Sequence, residues 1–299
     1  MFRKHDFIRI GPIVALLAIL VAGACTPTAA SPGGPAVAEA EPAAGSEFES
    51  LDPAAFTDAT TIDNRWFPLV PGTEYLFEGS TFEDGELSKH WLEFTVTDLV
   101  KEIGGVPAVV AWIVDYSDGE LVEKEIAFYA QDKDGNVWYL GEHPEEFEEG
   151  KFITAPTWIH GIADARAGIM MTAAPRSGAP SYSQGWGPAV DFSDRGEVSE
   201  ILEELCTAID CYNDVIVVRE FTEKEPGASQ LKFYAPGVGN IRVSWRGADA
   251  QQEELELIGI NQLGPDEMAE VRAQALELEA HAFEISPEVY GATEPMVAP

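Results

Sequence analysis

The sequence predicts a mainly β protein: a single large antiparallel meander sheet, curved into a sandwich or an open barrel, with a C-terminal α-helix. Hydrophobic and polar residues alternate in many short segments, which is typical of half-buried strands. Glycine-containing turns such as Asp118-Gly119 separate these segments, as in β-hairpins. Because the connections are short and no helical crossover pattern lies between the segments, neighbouring strands are expected to be antiparallel.

Nine segments carry the alternation. In one of them, Leu92, Phe94 and Val96 share a face, and in another Glu123 and Glu125 lie on the face opposite Ile126 and Phe128. The predicted strands are Glu74–Glu78, Lys89–Asp98, Val106–Tyr116, Leu121–Ala130, Val137–Gly141, Val215–Thr222, Leu231–Tyr234, Gly239–Trp245 and Glu254–Ile260.

The region 155–200 is less regular, because glycines and prolines interrupt it. We expect an extended loop region that wraps one end of the sheet.

After Gly264 the apolar spacing changes to three and four residues, and Pro265 followed by Asp266 and Glu267 indicates a helix N-terminus. The helix should dock on the sheet by its narrow apolar stripe; recruitment of a partner or of a membrane is the alternative.

The first 24 residues have the pattern of a signal peptide. Arg3, Lys4 and Arg9 precede the apolar run Ile13–Ala24. This run is shorter than the roughly 20 apolar residues that a membrane-spanning helix needs. We therefore divide the chain into four parts. These are a signal peptide (1–24), a lipidated N-terminus with a disordered linker rich in Thr, Pro, Ala, Ser and Gly (25–58), an antiparallel β domain (59–262) and a C-terminal helix and tail (263–299).

Three cysteines decide two further expectations. The run Val21-Ala22-Gly23-Ala24-Cys25 resembles the lipobox of bacterial lipoproteins, which implies a lipid thioether on Cys25. Ordinary signal peptidase could cut the same bond and leave a free thiol. Cys206 and Cys211 then remain as a pair, for which a disulfide is expected in an oxidising compartment. A redox or metal-binding thiol pair is the alternative, although the spacing is not C-x-x-C and no histidine lies nearby.

The charge of the chain excludes some partners. Removing residues 1–24 removes three of the 18 basic and one of the 52 acidic residues, which leaves a net charge near −36. Such a chain repels nucleic acid phosphates and anionic lipid head groups, so the expected membrane contact is the N-terminal lipid alone. The excess carboxylates either keep an exported protein in solution or attract cations or basic partners. The expected location is the cell envelope, lipid-anchored on the extracytoplasmic side.

Several motifs resemble those of a family of uncharacterised exported bacterial lipoproteins and secreted proteins. They are W-F-P-L-x-P-G-T at residues 66–73, Y-A-Q-D-x-D-G-N-V-W-Y at 129–139 and Y-A-P-G-V-G at 234–239. The resemblance spans roughly residues 61–260. It implies a single exported domain, and it transfers no catalytic residue because no activity is established for the family.

A search for chemistry gives no catalytic residue, metal ligand or cofactor. Asp132, Asp134 and Asn136 have alternating oxygen ligands, but the glycine and glutamate of a calcium loop are missing, so we predict a hairpin turn. His160 is interpreted as a structural histidine and His143 as part of an exposed loop. No nucleophile elbow or nucleotide-binding glycine motif occurs.

The function predicted from these features is that of a non-catalytic scaffold or protein-interaction module. The first alternative is a binding module for an apolar or glycan ligand on a curved sheet, because seven tryptophans are spread along the β domain. The second alternative is a secreted hydrolase, in which His160 would lie with two acidic residues in a deep cleft. The sequence identifies neither ligand-binding residues nor a protein partner.

Overall fold

The computed structural model describes residues 48–83 and 85–298, which form fourteen β-strands and two α-helices. The predicted signal peptide, Cys25 and the linker before Phe48 lie outside the described residues. The helices are α1 (Pro265–Ile285) and α2 (Pro287–Tyr290). The strands are β1 (Thr73–Glu83), β2 (Glu86–Ile103), β3 (Val106–Ser117), β4 (Glu120–Gln131), β5 (Val137–Glu148), β6 (Lys151–Thr154), β7 (Trp158–Ile159), β8 (Arg166–Met171), β9 (Tyr182–Gly187), β10 (Phe192–Cys206), β11 (Cys211–Phe221), β12 (Ala228–Ala235), β13 (Gly239–Gly247) and β14 (Glu254–Gln262).

All fourteen strands belong to one antiparallel sheet. Their order is β4-β3-β2-β1-β14-β13-β12-β11-β10-β9-β8-β5-β6. Strand β4 also pairs with β5, from Glu123 opposite Glu146 to Gln131 opposite Val137, so the sheet closes on itself. The result is a twelve-stranded barrel, with β6 and β7 beside β5 and outside the ring. The predicted antiparallel β class with a C-terminal helix is confirmed, and of the two predicted forms the barrel is the one adopted, in a closed state.

The nine predicted strand segments all fall within strands except Thr222, which follows the end of β11. The prediction of a long loop over 155–200 is wrong, because this region contains β7, β8, β9 and the start of β10. Several of its glycines are required by close packing. A Cβ on Gly185 or Gly187 would lie 2.8 Å from Trp158, and one on Gly168 would lie 2.3 Å from the backbone of Gln184. Glycine here allows close approach within a sheet and does not mark a loop.

The barrel buries both faces of several strands. On β4, Ala127 and Tyr129 belong to the inward hydrophobic cluster, whereas Ile126 and Phe128 belong to the outward one. The outward cluster also contains Ala275, Leu278 and Ala282 of α1. The predicted docking of this helix on the sheet is therefore confirmed. Because α1 covers the outside, the interior of the barrel does not have to supply the whole core.

A group of buried polar residues, here called the C-terminal clasp, holds α1 and the chain end against β2. Lys101 on β2 contacts Glu279 of α1 at 2.7 Å and donates to the carbonyl oxygen of Glu294 at 2.8 Å. The Lys101 ammonium also lies 4.8 Å from the ring centre of Tyr290. The backbone N–H of Met296 donates to the same Glu279 carboxylate at 2.9 Å. Burial lowers the pKa of Lys101, and Glu279 opposes that shift.

The predicted linker ends at residue 58, but the structure shows that residues within 48–58 contact the barrel. Phe48 packs on Trp186 with 5.0 Å between ring centres, and the backbone N–H of Ser183 donates to Glu49 at 2.9 Å. Phe56 contacts the outward cluster. The part of the predicted linker that the structure describes therefore belongs to the folded domain.

The segment 62–69, here called the end plug, closes one end of the barrel. Ile62 pairs with Leu69, and both side chains join the inward cluster together with Phe67. Asn64 donates to the carbonyl oxygens of Gly135 at 2.8 Å and Thr172 at 3.2 Å, so it ties the plug to the β4–β5 turn and the end of β8. The motif at residues 66–73 therefore has a structural role at the start of β1.

Strands β10 and β11 extend beyond the barrel wall as a hairpin. They pair with each other as far as Cys206 opposite Cys211, whereas the β11–β12 pairing starts only at Ile216. The sulfur atoms of Cys206 and Cys211 are bonded, which confirms the predicted disulfide. The backbone N–H of Ala208 at the tip donates to Glu256 at 2.7 Å. The disulfide thus closes the tip of the hairpin.

Within 48–83 and 85–298, neither helix is both long enough and apolar enough to cross a bilayer.

Candidate functional site

The barrel encloses a cavity of about 330 Å³. Residues of the end plug, including Phe67 and Leu69, line it, and the other lining residues come from the inward faces of the strands. This volume lies at the small end of the range for ligand pockets, which is roughly 300–1,000 Å³. The cavity is the candidate functional site.

Aromatic and aliphatic side chains form most of the cavity wall. Tyr129 stacks on Tyr139 with 5.0 Å between ring centres, and Phe67 lies 5.4 Å from Tyr129 and 6.0 Å from Tyr234. Further apolar residues extend this surface along β1, β2, β3, β13 and β14. They are Tyr75, Phe77, Leu92, Phe94, Ile113, Val243 and Leu255. Such a wall can bury the apolar body of a small molecule.

The same cavity carries an excess of carboxyl groups, here called the lumen carboxyl cluster. Six acidic residues line the cavity, together with a single lysine, Lys232. The acidic residues are Glu123, Glu125, Glu142, Asp194, Glu220 and Glu253. Burying this many like charges is costly, so the carboxyls are expected to hold protons or to bind a positive group.

Glu142 lies at the centre of the cluster. It accepts hydrogen bonds from the Tyr139 hydroxyl and, at 2.9 Å, from the Trp158 indole N–H. The Tyr139 hydroxyl also lies 3.4 Å from Glu125. Burial raises the pKa of Glu142 despite these donors, and burial together with Glu142 and Glu123 raises the pKa of Glu125 well above its usual range. Glu125 and Glu142 are therefore too close to ionise together at neutral pH.

Two carboxyls of the cluster have no donor. Among the residues that the structure describes, no group donates a hydrogen bond to the side chain of Glu123 or Asp194, and no cation pairs with either. Burial and then Asp115 and Glu142 raise the pKa of Glu123 to about 8. Burial and Glu220, opposed by Lys232, raise the pKa of Asp194 to about 7. Both groups change charge in the physiological range.

The remaining charges of the interior are paired. Lys232 contacts Glu220 at 2.8 Å, and Gln184 donates to Glu220 at 2.7 Å. Burial disfavours the charged form of Lys232, but Glu220 raises its pKa above the usual range. Lys232 is therefore neutralised by Glu220 and does not balance the other five carboxyls.

A buried histidine group lies beside the cavity. The ring nitrogens of His90 lie 2.6 Å from Asp115 and 3.0 Å from Glu253. Burial favours the neutral ring, but hydrogen bonds to Asp115 and Glu253 raise the pKa of His90 to about 10. His90 is thus a cation with two acidic partners, and it leaves Glu123 without one.

The structure places the histidines singled out by sequence elsewhere. His143 is fully buried on β5, where it contacts Thr157 at 2.5 Å and Glu145 at 3.3 Å, so its assignment to an exposed loop is wrong. His160 accepts a hydrogen bond from the backbone N–H of Ala167 at 2.9 Å, in keeping with a structural histidine. In the described part of the chain, no ion pair joins His160 to an acidic residue, so the arrangement that the hydrolase alternative required is not formed.

Asp132 forms the predicted hairpin turn. Its carboxylate accepts from the backbone N–H groups of Asp134 and Asn136 at 2.9 Å and from the Trp138 indole at 2.9 Å. In residues 48–83 and 85–298, no group of three or more His, Cys, Asp or Glu side chains is arranged to hold a metal ion.

Sequence reasoning missed the lumen carboxyl cluster. It placed Glu123 and Glu125 on the polar face of β4 but gave no reason to put that face inside. The expected aromatic surface does exist, although it consists of Tyr and Phe, and none of the seven tryptophans lines the cavity. One signal could have indicated that Glu123 and Glu125 point inward. Ile126 and Phe128 form an apolar face on the same strand, and α1 covers this face from outside the barrel.

Comparison with known proteins gives two distant structural matches. One is a crystal structure from Bacteroides fragilis, described as a candidate exported protein with a YmcC-like fold; it has 16% sequence identity and a TM-score of 0.39, and covers 66% of this chain and 99% of that one. The other is a candidate lipoprotein from Parabacteroides distasonis, with 12% identity, a TM-score of 0.35, and coverage of 67% of this chain and 100% of that one. No protein-family model and no curated protein sequence matches the chain.

Proposed function

We propose that the protein is an exported lipoprotein, anchored through Cys25 at the extracytoplasmic side of the cell envelope, whose barrel binds a small amphipathic molecule. The observation that supports binding is the cavity of about 330 Å³, closed at one end by the end plug and lined by aromatic rings and carboxyls with raised pKa values. A mostly apolar pocket with a few convergent polar groups and perturbed pKa values is typical of a ligand site.

The cavity favours the binding module over the scaffold. A scaffold needs a filled and stable core, whereas unpaired carboxyls inside a barrel reduce stability and gain nothing without a ligand. The location is supported by the sequence: a short apolar leader, a lipobox-like run before Cys25 and a polar segment between Thr26 and the barrel. The resemblance of the motifs at residues 66–73, 129–139 and 234–239 to those of exported bacterial proteins supports the same location.

Ligand binding can be tested with a cavity-filling variant. Native mass spectrometry of the purified protein should show a co-purifying small molecule, and N-phenyl-1-naphthylamine, a neutral fluorescent probe, should compete with it. Ile113→Trp places a larger side chain in the cavity and should weaken probe binding at least about tenfold, since over 1.4 kcal/mol of contact is lost. The matched control is Leu87→Trp, at a residue that is 70% exposed.

Three results would contradict lumen binding: the absence of any adduct, the absence of probe uptake, or equal probe binding by Ile113→Trp and Leu87→Trp. Unfolding curves of both variants show whether a loss of binding reflects a loss of folding.

Anchoring is tested separately with Cys25→Ser. The unchanged protein should fractionate with membranes and incorporate labelled fatty acid, whereas Cys25→Ser should do neither. Thr26→Ser is the control, because it changes the neighbouring residue and keeps the thiol. Membrane association of Cys25→Ser would show that another feature attaches the protein.

A further inference from the structure

We infer that the ligand of the barrel is an amphiphilic amine, an apolar body that carries one positively charged nitrogen, with the nitrogen placed among Glu123, Glu125 and Glu142. This inference rests on the proposed binding function and adds the chemical class of the ligand. It depends on the contacts inside the cavity.

Within the part of the chain that the structure describes, the cavity has carboxyls without partners and no free cation to pair with them. Glu123 and Asp194 accept no hydrogen bond from any residue that the structure describes. Lys232 is held by Glu220 at 2.8 Å, and His90 lies between Asp115 and Glu253. Among the described residues no cation pairs with Glu123 or Asp194, so a positively charged group bound in the cavity would pair with them.

The apolar and acidic parts of the wall adjoin each other. Glu125 on β4 lies directly opposite Ile113 on β3, and Ile113 lies opposite Phe94 on β2. A molecule whose nitrogen contacts Glu125 therefore reaches Ile113 and Phe94 with its adjacent carbons. The Tyr129–Tyr139 stack beside the carboxyls offers aromatic faces, which also favour cations. The cavity thus has the polarity of an amphiphilic amine.

Ligands of other charge fit less well. An anion such as a fatty acid carboxylate would add a like charge next to Glu123 and Glu142. A neutral alcohol could accept or donate a hydrogen bond, but it would leave the cluster protonated. A cation instead favours the ionised carboxyl, so amine binding should release a proton and strengthen as pH rises through about 8, the pKa of Glu123.

The test compares two probes of equal length on the unmodified protein. Binding of 4-phenylbutylamine and of 4-phenylbutan-1-ol is measured by titration calorimetry at pH 5 and pH 8.5; an alkylamine stays protonated at both. At pH 8.5 the amine should bind at least about tenfold more tightly than the alcohol, and at pH 5 the ratio should fall below about threefold. Calorimetry in buffers of different ionisation enthalpy should show proton release at pH 7 with the amine alone.

Two variants locate the nitrogen. Glu123→Gln and Glu125→Gln should each weaken the amine at pH 8.5 by about tenfold while leaving the alcohol within about twofold. The matched control is Glu102→Gln, the same substitution at an exposed position on β2, which should change neither.

The outcomes separate this inference from the proposed function. Equal affinity for amine and alcohol at pH 8.5 would overturn the amine as ligand class and leave lumen binding intact. A preference for the amine that Glu123→Gln and Glu125→Gln retain would also overturn it, since the cation would then bind elsewhere on an acidic protein. If neither probe binds, lumen binding itself fails and the inference fails with it.

Discussion

Two buried polar groups on opposite faces of the same sheet differ in how completely they are paired. In the C-terminal clasp, one lysine and one carboxylate meet at 2.7 Å, and the carbonyl of Glu294 and the N–H of Met296 complete the hydrogen bonding. The lumen carboxyl cluster has six carboxyls and one lysine, which pairs with Glu220 alone, and Glu123 and Asp194 have no donor within the described residues.

The difference separates a structural role from a binding role. Buried polar groups that are retained for stability are normally paired. The Lys101–Glu279 pair of the clasp meets that condition, and removing either side chain leaves an unpaired charge. The lumen carboxyl cluster does not meet it, and its members raise one another's pKa values. Mutations in the C-terminal clasp should therefore reduce the stability of the protein. Mutations in the lumen carboxyl cluster should instead change ligand binding and the dependence of stability on pH.

The largest expected effect is in the clasp. Lys101→Met removes the cation and leaves the Glu279 carboxylate buried, which should reduce the free energy of unfolding by about 3–5 kcal/mol. Urea denaturation at pH 7 measures this. The double variant Lys101→Met/Glu279→Gln is the control and should recover part of the loss. A loss below about 1 kcal/mol for Lys101→Met would contradict the comparison.

The disulfide lies outside both the C-terminal clasp and the lumen carboxyl cluster, so its removal is a reference for their effects on stability. Replacing Cys206 and Cys211 by serine opens a six-residue loop at the hairpin tip and should cost about 2 kcal/mol by the chain-entropy argument. The dependence of stability on pH should stay the same, since neither residue contacts the lumen carboxyl cluster. Thermal or urea unfolding at several pH values checks both points, and a changed pH slope would show that the hairpin is coupled to the cluster.

The smallest effect on the free energy of unfolding is expected for Glu123→Gln. This variant should gain stability, whereas the lysine and cysteine variants should lose it. Burial and neighbouring acids raise the pKa of Glu123 to about 8, above its unfolded value near 4. The folded state therefore holds the proton more tightly, and stability is greatest at acidic pH and falls as pH rises towards 8. Glutamine cannot ionise, so this variant should be more stable than the parent at pH 8.5 and similar at pH 4. The gain should be about 1 kcal/mol, well below what the full pKa shift implies, because Glu123 faces the cavity, where solvent screens its charge.

Unfolding curves of the Glu123→Gln variant and of Glu102→Gln across this pH range test the sign. The Glu102→Gln control should follow the parent at every pH. If the Glu123→Gln variant became less stable at pH 8.5, Glu123 would have a stabilising partner in the folded protein.

The sequence predicts the strands of this barrel better than its interior. A period of two assigns Leu92, Phe94 and Val96 to one face correctly, since all three contact the inward cluster. The same period cannot decide which face of β4 points inward. That depends on ring closure, including the pairing of Tyr75 with Ile260 over 185 residues, and on the cover that α1 provides.

Two further failures have local causes. Gly185 and Gly187 have the composition of a loop, but they lie in β9 because Trp158 packs against their backbone. His90 and Asp115 are 25 residues apart in sequence, and the β2–β3 register brings them to 2.6 Å. Neither the packing of Trp158 on these glycines nor the contact of His90 with Asp115 can be predicted from composition or from spacing along the chain. A register prediction for the β2–β3 hairpin would have found the second one.

Ring closure also restricts how another polypeptide can attach. Sheet proteins often capture peptides by adding a strand to an unpaired edge. Around this ring each strand has neighbours on both sides, and in the described residues the sheet order ends at β6, a strand of only four residues. Strand addition by a protein partner is therefore restricted to short free edges, such as β6 and the part of the β10–β11 hairpin that extends beyond the wall.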